Sequence, residues 1–411
     1  MPPEVARNNS KGSTDPSWRW PHYKRLMSQC LGSSNLPLTD DVVGWPPGVP
    51  AVRLGKAWSA LTQASFIEWK YYAFLNPSFH GIVGLSLYNP DQRFSRLAEG
   101  GLLVVVAGQA GDNHPHPFVV MRLLPTAALE GLDGAQLRAR HKGLDLDLFD
   151  DTREERSTIR LEIAGELSLL ATVSNTSPPL DPLVARSKSP LPLGHWVVHN
   201  RVPAGRSSGS LQMTPASSTG RPAITARWEE SSAYFEHSWG LHPLPWQGWD
   251  FMFAAGKASQ PDETPEAWAA LQSYKDMPDL KRLDLGWTDA STAAQHASSF
   301  RCDELNITWP EQDYDVPLAA WVPRRRVLSG RNQDYQVRLE NIIDTTLRFL
   351  RPETFAVRCF FIAEQLGRVR WTLTSHSGQL VAQSPWMRAG GEVAYARFPS
   401  LGRVTRPFPV P

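Results

Sequence analysis

The chain has 411 residues, with 42 lysines and arginines against 41 aspartates and glutamates, a net charge of +1. That balance supplies no basic footprint for nucleic acid, and the length exceeds one ordinary domain, so two are expected. Its 16 tryptophans, 35 prolines and 29 glycines suit many short strands joined by turns rather than long helices. The cysteines Cys30, Cys302 and Cys359 have neither a disulfide-framework nor a metal-ligand spacing, which points to a reducing, cytoplasmic setting.

In chain order, residues 1–17 read as a disordered tail, and 18–50 as an irregular segment broken by Pro and Gly. Residues 1–30 carry no apolar run, so no secretory signal is expected. The first clear strand is Ser65–Leu75. Alternation sends Phe66, Glu68, Lys70, Tyr72 and Phe74 to one face and Ile67, Trp69, Tyr71 and Ala73 to the other. Asn76-Pro77-Ser78 turns it into a second strand, 79–88.

Further strands are expected at 101–109, 117–124, 144–150, 158–163 and 166–174. The acids of Leu144-Asp145-Leu146-Asp147-Leu148 fit an exposed polar face better than a metal site. His114 and His116, between prolines, read as a surface turn with no third ligand at metal spacing. Five prolines make 176–192 an extended connection into a strand that carries His195, Trp196 and His199 and then Pro203-x-Gly205.

The densest chemistry lies in Tyr234-Phe235-Glu236-His237-Ser238-Trp239-Gly240. As a strand it places Tyr234, Glu236 and Ser238 on one face and Phe235, His237 and Trp239 on the other. Glu236 is then either a solvated strand residue or a carboxyl kept protonated by burial among aromatics, able to give up a proton. A proline-broken turn follows, then an aromatic strand beginning Trp249-Asp250-Phe251.

Beyond it, Thr264 as cap, Pro265 and an Ala/Leu-rich run predict a helix over 265–275. Strands are expected at 280–287, 298–309, 333–341, 355–363, 368–375 and 379–386, with a short helix at 341–350. Arg324-Arg325-Arg326 reads as a solvated strand end. There is no phosphate loop, no Gly-x-Ser-x-Gly and no His-Glu-x-x-His.

Three anchors share one order. These are Glu68-Trp69-Lys70-Tyr71; Trp196 with Pro203, Gly205 and Gly209; and Tyr234-x-Glu236-His237-x-Trp239-Gly240 followed by Trp246-x-Gly248-Trp249-Asp250-Phe251. Together they resemble the superfamily of carotenoid 1,2-hydratases, tocopherol cyclases and lipocalin-like Diels–Alderases. Lys70 departs from that pattern, which has Trp there. His195 and Trp196 are adjacent where the family has a residue between them, and Glu236 replaces the Asp of the hydratases.

The resemblance implies an all-β chain of two tandem lipocalin-like antiparallel β-barrels with few short helices. The N-terminal segment would cover 1–50, the first barrel 51–225 and the second 226–411. Barrels of about eight strands can each enclose an apolar ligand. The implied activity is cofactor-independent cyclisation or hydration of an isoprenoid or polyene by protonation of a C=C bond. A pericyclase acting on a polyene and a lipid carrier without chemistry are the alternatives. The implied catalytic set is Glu236, Tyr234 and His199 or His195, with Trp69, Tyr71, Tyr72, Trp196, His237, Trp239 and Trp249 around the substrate. No metal, cofactor or nucleic acid is expected; a monomer touching a membrane surface for substrate uptake is.

Overall fold

The computed structural model describes residues 66–88, 101–110, 116–130, 136–151, 156–177, 180, 183–186, 195–214, 223–241, 248–256, 267–274, 277–289, 291–315, 320–352 and 359–397. The tail and irregular segment at 1–50, His114 and the turn around it, the proline-rich turn at 242–247 and parts of 176–192 lie outside these residues.

The first sheet is built from β1 (Phe66–Leu75), β2 (Phe79–Tyr88), β3 (Gly101–Ala110), β4 (His116–Pro125), β5 (Leu129–Glu130) and β6 (Gln136–His141). It continues with β7 (Leu144–Asp151), β8 (Arg156–Ile163), β9 (Leu167–Asn175), β10 (Leu183–Arg186), β11 (His195–Met213) and β12 (Ile224–Leu241). These pair in the order β4-β3-β2-β1-β12-β11-β9-β8-β7-β6-β5, with β10 beside β11. The second sheet takes β13 (Gly248–Gly256), β14 (Ala267–Tyr274), β15 (Met277–Thr288), β16 (Gln295–Arg301) and β17 (Leu305–Asp315). It is completed by β18 (Ala320–Arg331), β19 (Tyr335–Pro352), β20 (Cys359–Ser375), β21 (Leu380–Gln383) and β22 (Met387–Arg397). Its order is β16-β15-β14-β13-β22-β20-β19-β18-β17, with β21 beside β20.

The connections require both sheets to curl. The end strands of each sheet follow one another in the chain, joined by a 3-10 turn at Thr126–Ala128 in the first and Cys302–Glu304 in the second. A flat sheet of eleven strands would hold its ends about 48 Å apart, whereas three residues reach only about 10 Å. The result is two curled antiparallel sheets, one nearly closed into a barrel and the other a half-barrel.

Strand alternation then sorts side chains into separate cores. Tyr72 and Phe74 of β1 join Phe79, Leu146, Ile159, Trp228 and Phe235 inside the first sheet. Trp69, Tyr71 and Ala73 point the other way and pack with Phe251, Phe253 and Trp268 of the second sheet. The second sheet has its own interior around Leu271, Phe300, Leu339 and Trp371. Side chains pack both interiors, and among the described residues a cleft with walls from both sheets opens between them. His80 and Gln109 cross that junction, His80 Nε2 to the Ala389 carbonyl at 2.9 Å and Gln109 Nε2 to Thr345 Oγ1 at 2.6 Å.

Several expectations are corrected. The helix over 265–275 is instead strand β14. Its small residues serve both faces, Trp268 and Ala270 toward the other sheet and Ala267, Ala269 and Leu271 inward. Two-sided burial and pairing with β13 and β15 override alanine's helix preference. Residues 341–350 extend β19, and 359–375 form one strand. The run 298–309 is split by the 3-10 turn into β16 and β17. The Pro203-x-Gly205 step does not end its strand. It is a bulged stretch of β11, with register shifts between Asn200 and Val202 and between Val202 and Gly205, where a residue with no N–H costs no ladder bond. Arg326 is buried, bonded to Asp250 at 2.8 Å and Asn341 at 2.7 Å and also to Gln365.

Candidate active site

β12 lies between β1 and β11, so both of its edges are paired, while one face looks into the first sheet's interior and the other packs against the second sheet. Tyr234, Glu236 and Ser238 face the second sheet and form one hydrogen-bonded set. Ser238 Oγ donates to Glu236 Oε1 at 3.0 Å. Tyr234 Oη stands 3.0 Å from Glu236 Oε2 and 2.7 Å from Asn200 Oδ1. Gln272 Nε2 of β14 donates to the same Asn200 oxygen at 2.9 Å.

A phenol has one proton to give. Tyr234 Oη can give it to Asn200 Oδ1 or to Glu236 Oε2 but not to both at once, so a Tyr234 engaged with Asn200 leaves Glu236 without that donor. Burial, and then the charge of Glu392, push Glu236 up to about 7, against the bonds from Tyr234, Ser238 and Gln272.

Glu236 borders a cleft of about 460 Å³, its open mouth included, whose walls come from both sheets. Trp69, Tyr71, Trp249 and Phe251 supply its aromatic surface, and Gln272, Arg351 and Glu392 its polar groups. Two glycines shape these walls. Any Cβ at Gly84 would lie 2.5 Å from the Trp69 ring, so the indole lies flat on the neighbouring strand. Gly248, at φ 142°, leads into Trp249 where a Cβ would meet the Ala394 carbonyl at 1.8 Å.

Sequence reasoning named Trp249 of the second sheet but missed that sheet's charged residues. Glu364 and Glu392 face each other across β20 and β22. Tyr71 Oη donates to Glu364 Oε1 at 2.7 Å, and Trp249 Nε1 donates to Glu392 Oε1 at 2.5 Å. Burial, with Glu392 beside it, holds Glu364 well above the ordinary carboxylate range. Glu392 is also raised by burial, with Arg351 and the Trp249 N–H opposing. The Arg351 guanidinium stacks over Trp249 at 5.0 Å, Trp69 at 5.4 Å and Phe360 at 5.5 Å. A signal existed for Glu364, a charged residue that closes the apolar run Phe360-Phe361-Ile362-Ala363.

The remaining sequence candidates divide. Tyr72 and His237 point into the first sheet, where His237 Nε2 meets Glu68 Oε1 at 2.5 Å and Tyr72 Oη donates to Asp150 Oδ1 at 3.0 Å. They are separated from the cleft by the sheet itself. His195, Trp196, His199 and Trp239 are placed by backbone register, opposite Leu241, Gly240, His237 and Glu68 respectively, and their side chains lie outside the described residues. Among the described residues, no three His, Cys, Asp or Glu side chains converge to hold a metal ion.

No family model matches the chain, and no curated protein does. Among solved structures it is similar to an AttH-type protein from Nitrosomonas europaea, at 16% identity and a TM-score of 0.51 over 80% of this chain and 93% of that one. It is also similar to CghA with Sch210972, at 9% identity and a TM-score of 0.46 over 82% and 89%. Kievitone hydratase from Nectria haematococca follows at 11% identity and a TM-score of 0.42 over 81% and 90%. At such identities the likeness is one of fold. The shared fold with the Nitrosomonas europaea protein is the paired curled-sheet architecture described above.

Proposed function

We propose that the chain is an enzyme that protonates a C=C bond of an apolar isoprenoid or polyene, with Glu236 as the acid, and so starts cyclisation or hydration. One observation carries this reading: a buried carboxyl at the cleft whose phenol neighbour has one proton for two acceptors. Such a carboxyl holds its own proton near neutral pH and can deliver it. The rings of Trp69, Tyr71, Trp249 and Phe251 offer apolar area to the substrate and π-faces to the cation that follows.

A pericyclase is the second reading. The Tyr234–Asn200–Gln272 set favours it, because such a set can orient a substrate carbonyl without transferring a proton.

The experiment is incubation of wild type and Glu236→Gln in D₂O with geranylgeraniol and with linear conjugated polyenes, followed by mass spectrometry. Acid chemistry puts one deuterium on carbon in the product, and Glu236→Gln slows it by roughly a hundredfold or more. Isomerised product free of carbon-bound deuterium, formed equally by both proteins, favours the pericyclase. Tight binding with unchanged recovery from both favours a carrier.

A further inference from the structure

We propose that Glu392 is the general base of the same cleft, taking the proton from the nucleophile that quenches the cation. The inference rests on Glu236 being the acid. It adds a second group from the opposite sheet, so that acid and base come from different halves of the chain.

The placement is particular. Glu236 on β12 and Glu392 on β22 both line the cleft, together with Trp69, Trp249 and Phe251. Glu392 Oε1 is engaged by Trp249, while its buried Oε2 has no hydrogen-bond partner among the described residues. The groups acting on Glu392 come from four neighbouring strands. Arg351 of β19 is cationic, Glu364 of β20 lies directly opposite, Tyr71 of β1 is a phenol, and Glu236 of β12 stands across the cleft. Glu364 accepts the Tyr71 proton through one oxygen, and burial with Glu392 beside it, and no cation to oppose them, holds it well above the ordinary carboxylate range. It therefore adds no negative charge beside Glu392. Asp250 also borders the cleft, but its carboxyl is held by Arg326 at 2.8 Å and Trp309 at 3.0 Å. Glu392 has a cation acting on it and an indole N–H donor, both of which favour the ionised form, and unlike Asp250 it keeps an oxygen with no hydrogen-bond partner among the described residues. Two carboxyls driven apart in this way divide the roles of acid and base.

The step balances. The Glu236 O–H bond breaks and the alkene π pair forms a C–H bond, leaving a cation on the neighbouring carbon and a carboxylate at 236. A lone pair of water, or of a substrate hydroxyl, forms the C–O bond. The resulting oxonium O–H breaks, its electrons stay on oxygen, and the proton passes to the Glu392 carboxylate. The two carboxyls end with the same single proton in exchanged places, and solvent at the cleft mouth returns it.

The test needs no substrate. The full chain is labelled with ¹³C at glutamate carboxyls and titrated by NMR, with Glu236→Gln and Glu392→Gln identifying the two resonances and thermal melts checking folding. Glu392 should ionise at lower pH than Glu236, and Glu392→Gln should lower the Glu236 midpoint by removing the facing charge. Trp249→Phe keeps the Glu392 carboxyl but deletes its donor. It should raise the Glu392 midpoint by about one pH unit, and it serves if Glu392→Gln does not fold. A Glu392 that stays protonated through the Glu236 midpoint overturns the base assignment and leaves Glu236 as acid. A Glu236 midpoint in the ordinary carboxylate range overturns both.

Discussion

Asp150 and Glu236 are both buried carboxyls within a hydrogen bond of a tyrosine, and their environments drive them in opposite directions. Asp150 sits inside the first sheet, where Lys70 pairs with it, Ser157 donates at 2.7 Å and Tyr72 donates at 3.0 Å. Burial pushes Asp150 up, but the charge and hydrogen bonds of Lys70, with those of Ser157 and Tyr72, hold it below the usual range. Glu236 faces the cleft with a like charge, Glu392, across from it and a phenol that must choose between partners. At matched burial, the supply of cations and donors decides which carboxyl is an anion and which an acid. The first region is a closed structural account; the second holds a proton in reserve.

The largest expected effect breaks the first region. Asp150→Ala removes the buried carboxylate that pairs with Lys70 and should cost about 3–5 kcal/mol of stability, read by denaturant unfolding. The Glu236 midpoint should not move, since the two groups lie on opposite faces of the sheet. A shifted midpoint would show that the regions are coupled.

Stability against pH sharpens the contrast. Glu236 binds its proton more tightly when folded, so its contribution is full below about 4.5 and is lost as pH rises through about 7. That is on the order of 3 kcal/mol over the window. Asp150 has the opposite sign, stabilising above its ordinary carboxylate range and losing that contribution as pH falls through its depressed value. Buried His80, held down at about 4 by burial and by Arg388, gains stability with pH over nearly the window in which Glu236 loses it. The measurement is therefore the difference between Glu236→Gln and wild type in urea at pH 4 to 8. The variant should gain on wild type as pH rises, and a constant difference would mean that Glu236 is an ordinary carboxylate.

The smallest effect belongs to the solvated ladder of β6 and β7, where Arg138 meets Asp147 at 2.5 Å with both side chains partly exposed. Asp147→Asn should cost less than about 1 kcal/mol and leave both buried carboxyls unmoved. A larger loss on thermal melting would mean that this ladder supports the interior behind it.

Much of this was legible in the residues. Alternation along 66–75 and 234–240 assigned the faces of Trp69, Tyr71, Tyr72, Tyr234 and Glu236 as the fold has them. It also carried an unused signal: in Leu144-Asp145-Leu146-Asp147-Leu148-Phe149-Asp150, Asp150 occupies the inward register of the leucines. Alternation cannot say which of two covered faces meets solvent or a partner sheet, so Tyr72 and His237 were grouped with the cleft. Nor does a single strand show what the other half of the chain will bring to it. Glu364, Glu392 and Arg351 reach the site through a contact between sheets more than a hundred residues from Glu236. The alanines of β14 imitate a helix because small residues suit both a helix interior and a strand covered on two sides.

That the cleft has one wall from each sheet makes it a product of assembly. The chain passes from the first sheet to the second between Leu241 and Gly248, so a cut there would sort Glu236 and Glu392 onto different fragments. Until the halves meet, Glu236 lacks the cover of Trp249 and Phe251 and its facing charge Glu392, and its titration falls back toward that of an ordinary carboxylate. Protonation of one side chain thus reports on docking, and two separately expressed halves could be scored for reunion by the titration of a single glutamate.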